Sequence, residues 1–132
     1  MSARFSQTFT ARPEHIDELG HVNNTVWVRW IQDLATAHWN GAARPKDAKR
    51  FFWVVTRHEI DYRGNIASGE SVTGVTWIEG TPRGATSIRR VEFKDETGRI
   101  IVSAATTWAM LDQETQRLVR VRPDVLALFE EA

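Results

Sequence analysis

The segment from residue 15 to residue 30, HIDELGHVNNTVWVRW, places a carboxylate, a histidine and two asparagines directly before an aromatic, helix-like pattern. Asp17 is ionised at neutral pH if its pKa stays near ~3.9, so it can attack an electrophile or accept a proton from water. The first N–H groups of the following helix have no intrahelical acceptor and can stabilise a negatively charged oxygen. Capping that helix needs only one of these polar residues, and the surplus therefore indicates a functional site.

Spacing alone leaves a second interpretation of these residues open. Asp17 fits a turn acid as well as a catalytic carboxylate, and Asn23 and Asn24 fit cap or turn residues. His21 can bond to Asp17 or to a substrate, or it can shape the loop through a backbone carbonyl, and we favour a supporting role over proton transfer. His58 lies in a strand-like segment, where a hydrogen-bonded core histidine is favoured over a residue that lines a pocket.

The apolar residues after this loop predict a helix over residues 25–40. They recur at steps of three and four and form one stripe: Trp27, Trp30, Ile31, Leu34, Ala35 and His38. Asn24 or Asn23 is well placed to cap the start of this helix, and Gly41 suits its C-terminal end. The polar segment 41–50 is then predicted to be a mobile connection.

Alternating apolar and β-branched residues predict five strands, which cover residues 4–11, 51–63, 70–78, 85–94 and 100–111. The last four are joined by glycine-containing connections of hairpin length, which favour antiparallel neighbours. Pro123 is expected to begin a short terminal helix. Because a single long apolar helix must be buried against a sheet, the sequence predicts an α+β fold with a five-stranded antiparallel sheet around that helix.

Composition narrows the functional classes. The 132 residues are expected to form one domain, 1–132, and 17 basic against 17 acidic residues give no overall charge that would favour nucleic acid or an anionic membrane. The absence of cysteine excludes disulfides and thiolate chemistry. The N-terminal residues contain no apolar run suited to a signal peptide or membrane span, so a cytoplasmic location is the simplest inference. Six tryptophans suggest a core or a subunit interface rich in large rings, and we expect a homodimer or homotetramer.

No motif for a metal or nucleotide cofactor is present in the sequence. The pair His58–Glu59 lacks the second histidine of H-E-x-x-H, and there is no G-x-S-x-G elbow, P-loop or dinucleotide fingerprint. We therefore expect neither a metal ligand set nor a cofactor.

The segment DELGHVNNTVWVRWIQDLATAHW, residues 17–39, resembles the D-x-x-G-H-V-N-N loop and central helix of hotdog-fold acyl-CoA thioesterases of the 4-hydroxybenzoyl-CoA thioesterase-like family. Residues 57–72 and 97–112 are similar to the strand after that helix and to the last long strand. The resemblance implies the hotdog fold and hydrolysis of an acyl-CoA thioester to a carboxylic acid and free CoA. It also implies that no cofactor is needed, since the CoA is part of the substrate.

The resemblance assigns Asp17 as the catalytic nucleophile or general base. It places Gly20 and His21 in the turn that presents this carboxylate, and it gives the backbone N–H of Asn24 the task of polarising the thioester carbonyl. Leu19 departs from the D-x-N-x-H loop of the plant acyl-ACP thioesterase relatives, so the role of that asparagine does not transfer. The candidate catalytic residues are thus Asp17, His21 and Asn24, and the candidate substrate-binding residues are Gly20, Asn23, Trp27 and His58.

The sequence leaves two alternative functions open. One is a hotdog module that binds acyl groups or assembles with partners without turnover, and the other is a hotdog dehydratase. Arg89 and Arg90 are adjacent in a predicted strand and point to opposite faces. Either could meet the CoA phosphates, although a solvated surface arginine is the default interpretation of each.

Overall fold

A computed structural model describes residues 2–130 and shows one five-stranded antiparallel sheet. Its strands are β1 (Phe5–Thr10), β2 (Phe51–Tyr62), β3 (Ser71–Arg83), β4 (Thr86–Lys94) and β5 (Ile100–Asp112). Their order across the sheet is β1-β3-β4-β5-β2, and every neighbouring pair is antiparallel. The two strands that flank the long helix in the chain therefore form the two edges of the sheet, and the predicted antiparallel architecture is confirmed.

The long helix α1 (Asn24–Ala42) packs against the inner face of this sheet. All six residues of the predicted apolar stripe are buried. The space between helix and sheet is tight at Gly74 on β3, where an added Cβ would lie 2.8 Å from the ring of Phe93 and 3.0 Å from the side chain of Leu34. A glycine at this position lets the helix and the sheet come together. No helix within residues 2–130 has the length and apolar character needed to cross a membrane.

Two predictions about the end of α1 are wrong. The helix continues through Gly41 to Ala42, and its C-terminal cap is Ala43, whose N–H donates to the carbonyl of Trp39. The segment 41–50 is also no mobile connection, because it contains a second helix, α2 (Pro45–Arg50). A proline at the first helical position and an aspartate two residues later are typical of a helix start.

Helix α2 is held by one buried carboxylate. Asp47 is 4% exposed, and it accepts hydrogen bonds from the backbone and the guanidinium of Arg44. Arg44 also pairs with Asp124, 3.0 Å away, in the terminal helix α3 (Pro123–Leu126). This ion pair joins two segments that lie far apart in the chain.

A register shift in β2 changes which residues share a face. The pairing with β5 is irregular between Val55 and Arg57, so Val54 and His58 lie on opposite faces, whereas strict alternation along β2 would place them on one face. On β4, Arg89 and Arg90 do point to opposite faces. Arg89, however, is only 5% exposed, and its default interpretation as a surface arginine is wrong.

Candidate active site

The carboxylate of Asp17 lies in a tight turn. The turn is closed by backbone hydrogen bonds from Asp17 N–H to His21 (2.8 Å) and from Gly20 N–H to Asp17 (3.0 Å). The Oδ1 atom of Asp17 accepts the N–H groups of Leu19 (2.9 Å) and His21 (3.3 Å). Gly20 adopts φ +79°, a left-handed conformation that favours glycine. One carboxylate oxygen is therefore occupied by the turn, and Oδ2 is left for other chemistry.

The chain forms the same turn a second time, between β4 and β5. There Asp95 takes the place of Asp17: its Oδ1 accepts the N–H groups of Thr97 (2.9 Å) and Arg99 (3.1 Å), and Gly98 has φ +89°. The backbone bonds from Asp95 N–H to Arg99 and from Gly98 N–H to Asp95 also recur, both at 2.9 Å. The local geometry of Asp17 is thus fully explained by turn formation, and any further role must come from its surroundings.

The surroundings of Asp17 differ because the start of α1 follows its turn. Asn23 is the N-cap, and its Oδ1 accepts the N–H of Thr25 at 2.9 Å. The backbone N–H of Val26 donates to the carbonyl of Asn23, also at 2.9 Å. Within residues 2–130 the N–H of Asn24, the first helical residue, has no acceptor. The helix therefore presents one unpaired amide, at the positive end of its dipole.

His21 contacts Asp17 only through the backbone. Its side chain is exposed, and among residues 2–130 its imidazole takes part in no hydrogen bond. Of the three alternatives for this imidazole, a bond to Asp17 and a bond to a backbone carbonyl are therefore not formed within residues 2–130, and contact with a substrate stays a prediction.

Asn65 anchors the loop, a role that its position in the sequence did not indicate. Its Oδ1 accepts the N–H of Val22 (3.0 Å), while its Nδ2 donates to the carbonyl of the same residue (3.1 Å). The amide side chain thus pairs with Val22 as a neighbouring strand would. On the other side, the N–H of Asn23 donates to the carbonyl of His15 at 3.0 Å. The only signal in the sequence was a polar residue in the turn GNIASG, a common pattern for any loop.

Trp27 lies inside the molecule, and His58 is half-buried. Trp27 has no exposed surface and packs edge-on against Trp30 and Phe93, so contact with a substrate would require the first turn of α1 to move. The Nδ1 atom of His58 lies 2.9 Å from Oγ1 of Thr106 across the β2–β5 pair. Its Nε2 atom has no partner within residues 2–130, and burial lowers the pKa of the ring. His58 is thus a neutral core histidine that is satisfied at one nitrogen.

Among residues 2–130, no three histidine or acidic side chains come together in a way that could hold a metal ion. The chemistry available at the loop is therefore that of a carboxylate, an exposed imidazole and a helix N-terminus. These groups can attack or deprotonate, and they can stabilise a developing oxyanion.

Comparison with known proteins connects this loop and fold to a family. The profile of the family described as acyl-ACP thioesterase N-terminal domain matches residues 2–129. A chloroplastic palmitoyl-acyl carrier protein thioesterase of Gossypium hirsutum is 27% identical over an alignment of 137 positions, gaps included, that covers 96% of this chain and 33% of that protein. A chloroplastic acyl-[acyl-carrier-protein] hydrolase of Cuphea viscosissima is 28% identical over 82 residues, which are 61% of this chain and 20% of that protein. The chain therefore spans between a fifth and a third of these curated relatives.

Solved structures show the same fold. A 4-hydroxybenzoyl CoA thioesterase mutant in complex with 4-hydroxybenzoyl CoA superposes with a TM-score of 0.86 at 12% identity, over 98% of this chain and 100% of that one. The DHNA-CoA thioesterase of Staphylococcus aureus gives 0.82 at 18% identity, over 96% and 89% of the two chains. An acyl-ACP thioesterase of Bacteroides thetaiotaomicron gives 0.81 at 20% identity, over 98% and 54%. The hotdog fold expected from residues 17–39 is confirmed.

Proposed function

The chain belongs to the acyl-ACP thioesterase N-terminal domain family, and on this premise we propose that it hydrolyses acyl thioesters, with acyl-CoA as the substrate class. The observation that carries the proposal is the position of Asp17. Its turn is anchored to the start of α1, so one short loop holds a carboxylate with a free oxygen and a helix amide without an acceptor.

In the proposed reaction, Asp17 either attacks the thioester carbonyl carbon or takes a proton from a water molecule that attacks it. Addition places negative charge on the carbonyl oxygen, and the N–H of Asn24 stabilises that charge. The C–S bond then breaks, the thiol leaves with a proton, and the carboxylic acid is released. If Asp17 is the nucleophile, breaking the C–S bond leaves a mixed anhydride between Asp17 and the acyl group. Water then cleaves this anhydride, and the carboxylic acid is released. These steps use a carboxylate, water and backbone amides, so the proposal includes neither metal nor cofactor.

The remaining candidates have supporting roles in this proposal. Gly20 permits the turn, Asn23 fixes the start of α1, and His21 contacts the substrate from the exposed side of the loop. His58 is proposed to border the acyl group from the core, and Trp27 to do so only when the first turn of α1 moves.

The nature of the acyl carrier is a separate part of the proposal. The curated relatives are named for acyl carrier protein, whereas two of the structural neighbours are named for CoA thioesters. Both carriers therefore belong in the assay.

A second candidate function is a module that binds acyl groups without turnover. The specific observation in its favour is Asp95, which forms the same turn as Asp17 although no helix start follows it. The turn alone is thus no evidence of catalysis.

Asp95 also supplies the matched control that separates the two candidates. Asp17→Asn keeps Oδ1 as an acceptor for Leu19 and His21, so the turn and the melting temperature should be preserved while the charge is lost. Turnover should fall by at least ~10²-fold, the lower end for loss of a positioned base. Asp95→Asn makes the same chemical change in the same turn and should leave turnover within ~2-fold of wild type, in the range expected for a surface change.

The measurement is release of free thiol from short, medium, long and aromatic acyl groups on CoA and on acyl carrier protein, together with the melting temperature. His21→Ala should lower the rate less than Asp17→Asn if His21 only supports the substrate. A folded Asp17→Asn protein with the wild-type rate on the best substrate would exclude the mechanism. The non-catalytic module would then be the better description.

A further inference from the structure

A cavity of about 270 Å³ lies under the C-terminal half of α1. About a third of the residues that line it are aromatic: Trp39, Phe51, Phe52, Trp53, Trp108 and Phe129. From Asn24 to Thr36, which also lines the cavity, α1 rises roughly 18 Å at ~1.5 Å per residue. The cavity is therefore remote from the Asp17 loop of the same chain. Its volume is roughly twice that of a cavity known to take benzene, enough for a substituted ring or a medium aliphatic chain.

Arg89 brings a positive charge to this apolar cavity. Its Nη1 donates to Nδ1 of His38 (2.8 Å) and to Oγ1 of Thr76 (3.2 Å), and its guanidinium carbon lies 5.5 Å from the ring centroid of Phe129. All of these partners are neutral at pH 7, because burial and the charge of Arg89 lower the pKa of His38 to about 4. None of the ion pairs formed within residues 2–130 includes Arg89.

The charge on Arg89 is retained at neutral pH. Burial lowers the pKa of its guanidinium to about 10, which still leaves the group protonated at pH 7. A buried cation without an anion costs free energy that three neutral contacts only partly offset. The inner face of β4 thus holds a charge that the fold itself does not neutralise.

Two tryptophans of the same wall leave buried indole N–H groups. Trp53 and Trp108 line the cavity, but their N–H groups have almost no accessible surface and no acceptor within residues 2–130, so they are not presented to a ligand. No aspartate or glutamate of the described chain is part of the lining. The wall therefore offers a positive charge on an apolar background, which suits a ligand with a negative charge on an apolar body.

We propose that this cavity binds a carboxylate carried by an apolar group, with the carboxylate paired to Arg89 and the apolar part between the aromatic side chains. Arg89 uses Nη1 within the protein, so Nε and Nη2 remain for two parallel bonds to a planar carboxylate. The carboxylate belongs either to a free carboxylic acid or to the far end of an acyl group. The inference goes beyond the proposed thioesterase function, because equilibrium binding at Arg89 requires no turnover.

The first test compares two ligands of nearly the same shape on the wild-type protein. 4-Phenylbutanoate and the neutral 4-phenylbutanamide are titrated at pH 7 by calorimetry and by the tryptophan emission of the cavity wall. The carboxylate should bind at least ~10-fold more tightly, because charge-assisted bonds are stronger than neutral ones. Equal affinities, or no binding of the carboxylate at millimolar concentration, would overturn the proposal. Binding of inorganic phosphate in preference to the carboxylate would also overturn it.

The second test changes one of two adjacent arginines. Arg89→Met removes the charge at similar length and should weaken 4-phenylbutanoate at least ~10-fold, while Arg89→Lys should retain part of the affinity. The matched control is Arg90→Met, because Arg90 lies on the opposite face and pairs with Glu79 at 3.1 Å. It should leave the affinity unchanged. If Arg89→Met does not fold, the affinity of Arg89→Lys and the comparison of the two ligands on the wild-type protein test the proposal instead. A folded Arg89→Met protein with wild-type affinity would contradict the proposal.

A competition distinguishes the two sources of the carboxylate. Octanedioyl-CoA and its distal methyl ester compete with 4-phenylbutanoate on the Asp17→Asn protein, in which the thioester should persist. Displacement by the free distal carboxylate alone assigns the site to the acyl group. If neither compound displaces 4-phenylbutanoate, the site is assigned to free acids. If both displace it equally, the result argues against recognition of a carboxylate.

Discussion

Asp17 and Asp95 are two aspartates with the same local structure and different surroundings. Each accepts two backbone amides through Oδ1 and is followed three residues later by a glycine with positive φ. Only the turn of Asp17 leads into a helix start, and Asn65 pairs with Val22 to hold it there. The sequence contained both turns as DELGH and DETGR, so it could nominate Asp17. It could not reveal the anchor, since Asn65 acts through a contact with a residue distant in the chain.

His38 predicts that acid lowers stability. Burial, and then the charge of Arg89, lowers the pKa of His38 from 6.5 to about 4. The rings of Phe5 and Phe129 pack against it, and Arg89 is the charged group that faces it. Because the unfolded chain keeps the ordinary pKa, unfolding takes up a proton between about pH 6.5 and 4. At ~1.4 kcal/mol per pKa unit, about 3 kcal/mol of stability should be lost across that range.

Urea unfolding from pH 7.5 to 4 measures this loss, and His38→Gln should reduce the slope. The histidine ring signals followed by NMR report the pKa directly, which should rise in Arg89→Met because one cause of the shift is removed. Titration of His38 near pH 6.5 in the wild-type protein would contradict the prediction.

At the scale of elements, two glycines test how closely α1 approaches the sheet. Gly74→Ala should destabilise the protein by ~1–3 kcal/mol, because its Cβ would meet Phe93 and Leu34 at 3.0 Å or less. Gly41→Ala is the matched change in open space, since no atom lies within 4 Å of the added Cβ in the last turn of α1. It should stabilise by ~0.5–1 kcal/mol, because alanine loses less backbone entropy in a helix. Urea midpoints of the two variants should therefore move in opposite directions, and a loss of stability in both would refute this account of Gly74.

The sequence predicted the helices and strands better than it predicted how they pack against one another. The apolar stripe of α1 and the alternation of the strands are local patterns, so their number and approximate bounds could be found. The register shift at β2 depends on pairing with β5, and the burial of Arg89 depends on α1 lying across β4. The cavity at Arg89 likewise arises only where α1, α2 and α3 meet strands β2 to β5. These features follow from tertiary packing, which spacing in the sequence does not encode.

At the scale of the whole molecule, β2 is a long edge strand. It is twelve residues long, and within residues 2–130 no strand pairs with its outer side. Such edges readily pair with another chain. Val54 and Tyr62 on β2 and Ile88 on β4 are large apolar residues that are 39%, 42% and 41% exposed. We propose that two copies join their sheets through β2, which is one form of the homodimer or homotetramer that the tryptophan content suggested.

This proposal predicts a concentration-dependent melting temperature. A partner that binds only the folded chain stabilises it by mass action, so the melting temperature should rise from roughly 1 to 100 µM protein, and sedimentation should give a dimer or a larger assembly. Val54→Lys should weaken the association, because a two-fold axis perpendicular to the sheet at β2 brings two like charges onto one shared face. Leu118→Lys is the control, since Leu118 is 63% exposed and lies outside the strands, and it should change neither mass nor melting temperature. A monomer throughout this range, with a constant melting temperature, would show that the outer edge of β2 stays unpaired in water. The active site of each chain would then be built from that chain alone.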